Sequence, residues 1–99
     1  MITYKQVFAK LDRAALIPFF VIGDPDFDTS LELVKNAIDA GADILELGIP
    51  FSDPMADGPT IQKADIRAVN AGMNVKKALE FIRQIKAHKD IPIGLLMYY

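Results

Sequence analysis

One carboxylate stands out by its setting: Glu46, inside the apolar run Ile44-Leu45-Glu46-Leu47-Gly48-Ile49. Side chains alternate faces along a strand. Leu45, Leu47 and Ile49 therefore share one face, and Ile44, Glu46 and Gly48 the other. If the apolar set packs under helices, Glu46 points the opposite way, into an interior. A carboxylate there loses hydration, which favours its neutral form and raises its pKa. Such a group can donate and accept a proton near neutral pH. The competing reading is a structural carboxylate bonded to backbone or to a buried Arg. The place of Glu46 toward the C-terminal end of its run favours the catalytic reading.

The next loop brings two more carboxylates. Asp53-Pro54 and Asp57-Gly58-Pro59 are both ordinary turn sequences, and on that ground alone each is a turn residue. Asp57 gains from its place: it follows the strand of Glu46 and directly precedes a helix that starts near Thr60. Two carboxyls at one end of a sheet could face one small molecule and divide acid and base roles. The other polar residues say less. His88 is the only histidine and sits beside Lys86, Lys89 and Asp90 at a helix end, where a solvated role is expected. Lys76-Lys77 reads as an exposed helix face. Of Phe19 and Phe20, core packing is the commoner fate. No Gly-rich phosphate loop appears, and Gly23-Asp24-Pro25 is a turn.

These residues need elements to position them. Tyr4, Val7, Phe8 and Leu11 have helical spacing within residues 3–12. Residues 15–22 form a near-continuous apolar run, the mark of a strand covered on both faces. Thr29-x-x-Glu32 has capping-box form and predicts a helix with Leu31, Val34, Ala37 and Ile38 inward and Gly41 just past its end. After the Glu46 strand and the loop 50–59, residues 60–71 predict a helix with Ile61, Ala64, Ala68 and Val69 inward, stopped by Gly72. Asn74 caps another helix with Val75, Ala78, Leu79, Ile82 and Ile85 on one face. Residues 91–99 read as a third strand.

Strands that alternate with helical crossovers make a parallel sheet. A (β/α)8 barrel takes about 250 residues, and three-eighths of that is about 94. The 99 residues thus match the first three strands of such an α/β barrel, one part of a single domain over 1–99. The rival is a flavodoxin-like sheet, which needs about five strands.

Composition excludes other classes. Hydrophobic residues make up 52% and charged ones 24%, which is not the profile of a disordered chain. Net charge is −2; residues 1–50 carry four basic and eight acidic side chains, residues 51–99 seven and five. Neither half holds the basic stripe of a nucleic-acid partner. The absence of cysteine excludes a disulfide framework, Cys-ligated zinc and thiol catalysis. No apolar stretch reaches the ~20 residues of a membrane span. The basic and then apolar residues 1–22 lack a small-x-small cleavage site, so a cytoplasmic protein is expected.

Three strings carry a resemblance. They are Pro18-Phe19-Phe20-Val21-Ile22-Gly23-Asp24-Pro25, the segment 40–62 built around Glu46-Leu47-Gly48-Ile49-Pro50-Phe51-Ser52-Asp53-Pro54-Met55-Ala56-Asp57-Gly58-Pro59, and Ile91-Pro92-Ile93-Gly94-Leu95-Leu96-Met97-Tyr98. Together they resemble the tryptophan synthase alpha subunit family, and the middle string is specific to it. The resemblance implies a (β/α)8 barrel lyase of tryptophan biosynthesis. Its reaction is retro-aldol cleavage of indole-3-glycerol phosphate to indole and glyceraldehyde 3-phosphate. Glu46 matches the family's catalytic acid/base, which protonates the indole ring carbon, and Asp57 the aspartate at the indole nitrogen. Phe19, Ile61 and Leu96 match apolar positions lining the indole pocket.

Pro50, Phe51, Asp53 and Met55 fall in the segment that meets the beta subunit, in an alpha2beta2 complex. The resemblance implies no metal and no cofactor in this subunit, pyridoxal phosphate belonging to the beta subunit. Val21 stands where many members have Thr. The phosphate-binding and covering loops of the family would lie past Tyr99, so the 99 residues alone are expected to be inactive and to self-associate. The alternatives are a non-catalytic folding or assembly module, and an unrelated small α/β binding protein.

Overall fold

The structure is a computed structural model and describes residues 2–11, 13–50 and 58–96. Helix α1 (Tyr4–Lys10) leads into strand β1 (Phe19–Val21), helix α2 (Phe27–Asp39) and strand β2 (Leu45–Gly48). Helices α3 (Pro59–Asn70) and α4 (Val75–His88) follow, and strand β3 (Ile93–Leu96) completes the order. The strands form one parallel sheet in the order β1-β2-β3. This is the arrangement expected of the first three strands of a (β/α)8 barrel. Strands β1 and β2 are shorter than the apolar runs that predict them, because regular pairing is confined to the stretch where all their neighbours lie alongside. The ladder itself runs further: Asp43 N–H donates to the Leu16 carbonyl (2.9 Å), Glu46 N–H to Pro18 (3.0 Å) and Ile22 N–H to Gly48 (2.9 Å).

The alternation along β2 decides the layers. Leu45, Leu47 and Ile49 join the core cluster with Leu31, Val34 and Ile38 of α2, Ala64 and Ala68 of α3, and Phe81 and Ile85 of α4. Leu45, Leu47, Val34, Phe81 and Ile85 are fully buried. Phe81 also meets Phe27 edge to face, with ring centroids 5.5 Å apart and planes at 83°. That geometry matches the quadrupoles of the two rings.

Several local expectations shift. Helix α2 starts one turn before Thr29, at the N-cap Asp26. Its Oδ1 accepts the Thr29 N–H at 2.8 Å and its Oδ2 the Thr29 hydroxyl at 3.0 Å, so Thr29 is the third residue of the helix and not its cap. Helix α1 instead carries a true capping box, with Thr3 and Gln6 bonding each other's backbone N–H. It buries no residue fully despite its apolar spacing. In α4 the buried stripe is Ala78, Phe81 and Ile85, while Val75 and Leu79 are exposed. The expected stripe is rotated from the true one, because the helix has apolar residues on two adjacent faces and only packing on α2 selects between them. His88 is not simply solvated: its Nε2 lies 2.8 Å from Asp39 Oδ1 and joins the ends of α4 and α2.

Helices α2 and α3 end as the sequence predicts. Gly41 and Gly72 adopt φ of +112° and +98°. Ala42 N–H then reaches back to the Ala37 carbonyl, and Met73 N–H to Ala68, both at 3.1 Å. These are Schellman caps, which satisfy the last helical carbonyls and favour glycine in the left-handed position.

Asp43 fastens the chain before β1 to the start of β2. Its Oδ2 accepts from the Leu16 N–H at 2.8 Å and from Arg13 at 2.9 Å, and its Oδ1 from Arg13 at 3.0 Å. The Arg13 guanidinium, and after it the Leu16 N–H, hold this carboxyl below its ordinary value against the opposing effect of desolvation.

Two predictions follow from this packing. Phe81→Ala is expected to destabilise the folded chain by about 3–5 kcal/mol, the usual cost of emptying a closed aromatic site, as read from urea unfolding. Asp43→Asn is expected to lower the unfolding midpoint at pH 7. A depressed carboxyl stabilises the fold above its unfolded value of about 3.9 and loses that contribution as pH falls through its lower folded value. The gap between parent and variant therefore closes on acidification, which an unfolding series from pH 7 to pH 2 measures.

Candidate active site

The register of the sheet assembles the site. Phe19, Glu46 and Gly94 are neighbours across the three strands, and Val21, Gly48 and Leu96 form the next such row. Paired positions in a parallel sheet share a face. Glu46, Phe19 and Leu96 thus stand on one face, opposite the face on which Leu45 and Leu47 meet the helices. Glu46 is half-buried, whereas Phe19 and Leu96 are 39% and 43% exposed. Glu46 turns away from α2, α3 and α4, as the alternation predicts, and toward α1. In height it stands mid-ladder: Glu46 is the second of four residues in β2, and the backbone pairing runs from the Asp43 N–H to the Ile49 N–H.

Two glycines open this face. A Cβ placed on Gly48 would lie 3.0 Å from the Phe19 ring, so the ring rests across the bare backbone of β2. A Cβ on Gly94 would lie 2.6 Å from Tyr4 Oη and 2.7 Å from Glu46 Oε2. The Tyr4 hydroxyl and the Glu46 carboxylate thus crowd the same space above Gly94. Partial burial, and after it the nearby charge and hydrogen-bonding capacity of Glu46, push the Tyr4 phenol above its ordinary value. Helix α1 thereby delivers a phenol to a carboxylate forty-two positions along the chain (46 minus 4).

Tyr4 and Gly94 are the site neighbours that the sequence reading missed. In the sequence Tyr4 reads only as one apolar position of a helix. Gly94 carried a usable signal, since a glycine inside a strand marks a close approach of another group.

The remaining expected site residues fall differently. Ile61 lies in the first turn of α3, half-buried and packed against the core. Pro50 is buried just after β2. Phe51, Asp53, Met55 and Asp57 lie outside the described residues.

The turn after β1 does more than reverse the chain. Asp24 receives Arg67 Nε at 2.7 Å and a second guanidinium nitrogen at 2.9 Å. That bidentate pair ties the first strand-to-helix loop to α3, the helix that follows residue 57. Gly23, at φ +87°, brings this turn against the Met73 side chain, and its N–H donates to Ser30 Oγ at 3.0 Å. Asp65 of α3 is buried at 4% exposure, a polar position that periodicity did not flag.

Among the described residues no three His, Asp or Glu side chains converge on a possible metal position. None of the described helices is long and apolar enough to cross a membrane. A cleft of about 200 Å³ between α1 and the N-terminal edge of the sheet, with Val7, Leu11, Asp43 and Asp90 in its wall, excludes Glu46 and is separate from this face.

Comparison with known proteins gives the site its context. The sequence model of the family described as tryptophan synthase alpha chain matches residues 6–99. A tryptophan synthase alpha chain of Methanothermobacter thermautotrophicus is 50% identical over 97 residues, which are 98% of this chain and 36% of the relative. The crystal structure of tryptophan synthase subunit alpha from Legionella pneumophila superposes with a TM-score of 0.82 at 37% identity, covering 92% of this chain and 35% of that one. The tryptophan synthase complex of Pyrococcus furiosus gives a TM-score of 0.79 at 42% identity, covering 87% and 35%. The chain thus spans about a third of the length of the relatives it matches. With its three parallel strands, its inward Glu46 and a family match over nearly its whole length, the chain belongs to the tryptophan synthase alpha chain family.

Proposed function

We propose that these residues supply the acid/base wall of a lyase site that cleaves indole-3-glycerol phosphate to indole and glyceraldehyde 3-phosphate. The observation that carries the reading is the Glu46 carboxylate on the face of the sheet opposite the layer of α2, α3 and α4. It stands there with Phe19 and Leu96 on the same face, in a member of this family.

Retro-aldol cleavage needs two proton movements. One proton is added to the indole ring carbon, and the hydroxyl on the adjacent side-chain carbon loses one as the bond between the two carbons breaks. The electron pair of the broken bond goes to the ring, and the side-chain carbon becomes the aldehyde. Glu46 is assigned the proton delivered to the ring carbon, and the carboxylate so formed then takes the proton that the hydroxyl loses. Asp57 is assigned the indole nitrogen, where a negative charge stabilises the positive charge that develops as the ring is protonated. Phe19, Leu96 and Ile61 supply apolar surface for the indole. No metal or cofactor in this chain has a part in the reading.

Pro50, Phe51, Asp53 and Met55 are assigned to the contact with a pyridoxal-phosphate-dependent beta subunit in an alpha2beta2 assembly. The Pyrococcus furiosus relative, crystallised as a tryptophan synthase complex, supports a partner of this kind. The reading places the protein in the cytoplasm. The two-thirds of the relatives' length that this chain does not span would complete the barrel and bind the phosphate, so the 99 residues by themselves are assigned no useful turnover.

A second reading is a non-catalytic assembly module. One observation favours it: among the described residues β1 and β3 pair on one side only, and Leu95 and Leu96 are 44% and 43% exposed.

In a full-length barrel carrying these residues, Glu46→Gln is expected to reduce cleavage by at least the roughly 10²–10⁴-fold typical of a lost general acid/base, with the fold retained. The amide is nearly isosteric but cannot shuttle a proton. Asp57→Asn is expected to impair cleavage as well. A steady-state assay of indole release, run beside circular dichroism, checks both. Near-parental turnover by Glu46→Gln removes the assignment and leaves the assembly reading.

A further inference from the structure

The geometry points to Gly94 as a positioning residue: the missing side chain at 94 is the seat in which the Glu46 carboxylate lies against the Tyr4 hydroxyl. The functional consequence, though not the seat itself, rests on the reading of Glu46 as the proton-transfer group.

The argument is one of space. Gly94 is the direct cross-strand neighbour of Glu46, on the face that also carries Phe19 and Leu96. It belongs to β3 and has no positive φ. Backbone conformation therefore does not call for glycine, and in such a position glycine is the costlier choice, since alanine loses less conformational freedom on folding. What excludes a side chain is its surroundings. A Cβ would stand 2.6 Å from Tyr4 Oη, 2.7 Å from Glu46 Oε2 and 3.0 Å from the Glu46 carboxyl carbon. All three lie well inside the roughly 3.5–4.0 Å at which non-bonded heavy atoms rest.

The nearest atoms belong to two side chains and not to backbone. A methyl group at 94 would therefore move these two groups, or shift β3 against them. It would part the carboxylate from the Tyr4 hydroxyl and aim it elsewhere. A misplacement of about 1 Å at a reacting group can cost a hundredfold in rate. One absent methyl group thus sets the direction of the only carboxylate that the described residues place on this face of the sheet.

The test is made in the full-length chain. Gly94→Ala is expected to lower the urea midpoint by roughly 0.5 M, the low end of overpacking, because the crowding atoms are the ends of side chains that can move aside. In a background lacking both crowding oxygens, Tyr4→Phe with Glu46→Ala, the same change is expected to cost less than half as much. Equal costs in the two backgrounds overturn the proposal. If Gly94→Ala alone does not fold, a folded Tyr4→Phe/Glu46→Ala/Gly94→Ala chain supports the seat and an unfolded one overturns it.

Two further readouts go beyond stability. The Tyr4 phenol, followed by NMR titration and assigned with Tyr4→Phe, is expected to titrate closer to its ordinary value in Gly94→Ala; an unmoved titration overturns the seat. Cleavage by Gly94→Ala is expected to show kcat reduced at least tenfold with KM within about twofold. If Glu46→Gln keeps its activity, the acid/base reading fails and this kinetic arm goes with it. The seat itself is then decided by the urea comparison and the Tyr4 titration.

Discussion

Strand β2 has to satisfy hydrogen bonds on both of its edges while its side chains serve two opposite environments. Its backbone pairs with β1 on one side and β3 on the other. A shift of its register by one residue would exchange the two faces: Leu45 and Leu47 would lose the helices, and Glu46 would be forced under them. The first loss removes two fully buried leucines from the core, and the second desolvates a carboxylate among apolar side chains. Both penalties act in the same direction, so the register of the central strand and the orientation of Glu46 are one decision.

The rest of the fold is arranged around that decision. Asp43, with Arg13 and the Leu16 N–H, fixes the approach to β2 at its N-terminal end. Asp24 and Arg67 join the loop after β1 to the helix that follows the Glu46 strand. These pairs are largely exposed on the arginine side, and exposed pairs contribute little to stability by attraction alone. Their value is geometric, because each fixes a loop at a set place on a neighbouring element.

On the other face of the sheet, small residues have a definite use. Gly48 accepts the Phe19 ring and Gly94 the Tyr4 and Glu46 oxygens, so a strand surface that would otherwise be filled by its own side chains becomes a floor for side chains from elsewhere. Membership of the tryptophan synthase alpha chain family, over about a third of its relatives' length, agrees with a sheet in which, among the described residues, β1 and β3 pair on one side only and Leu95 and Leu96 are exposed.

The sequence by itself determined the order of elements, the glycine stops after α2 and α3, the two faces of β2, the inward Glu46 and the family. Each of these is written in neighbouring residues: an alternation of two, a spacing of three or four, a capping pair, a specific string. Asp57, Asp53, Phe51 and Met55 were legible in the same way, but they lie outside the described residues. Tertiary structure alone decided the cap of α2 at Asp26, the buried stripe of α4, the pairing of His88 with Asp39, and the meeting of Tyr4, Glu46 and Gly94. In α4 two adjacent apolar faces compete, and only contact with α2 chooses Phe81 over Leu79. Tyr4 and Gly94 lie ninety positions apart (94 minus 4), and no local period can record that the oxygen of one fills the space left by the missing side chain of the other. That space comes into being only when α1 and β3 are both brought against β2.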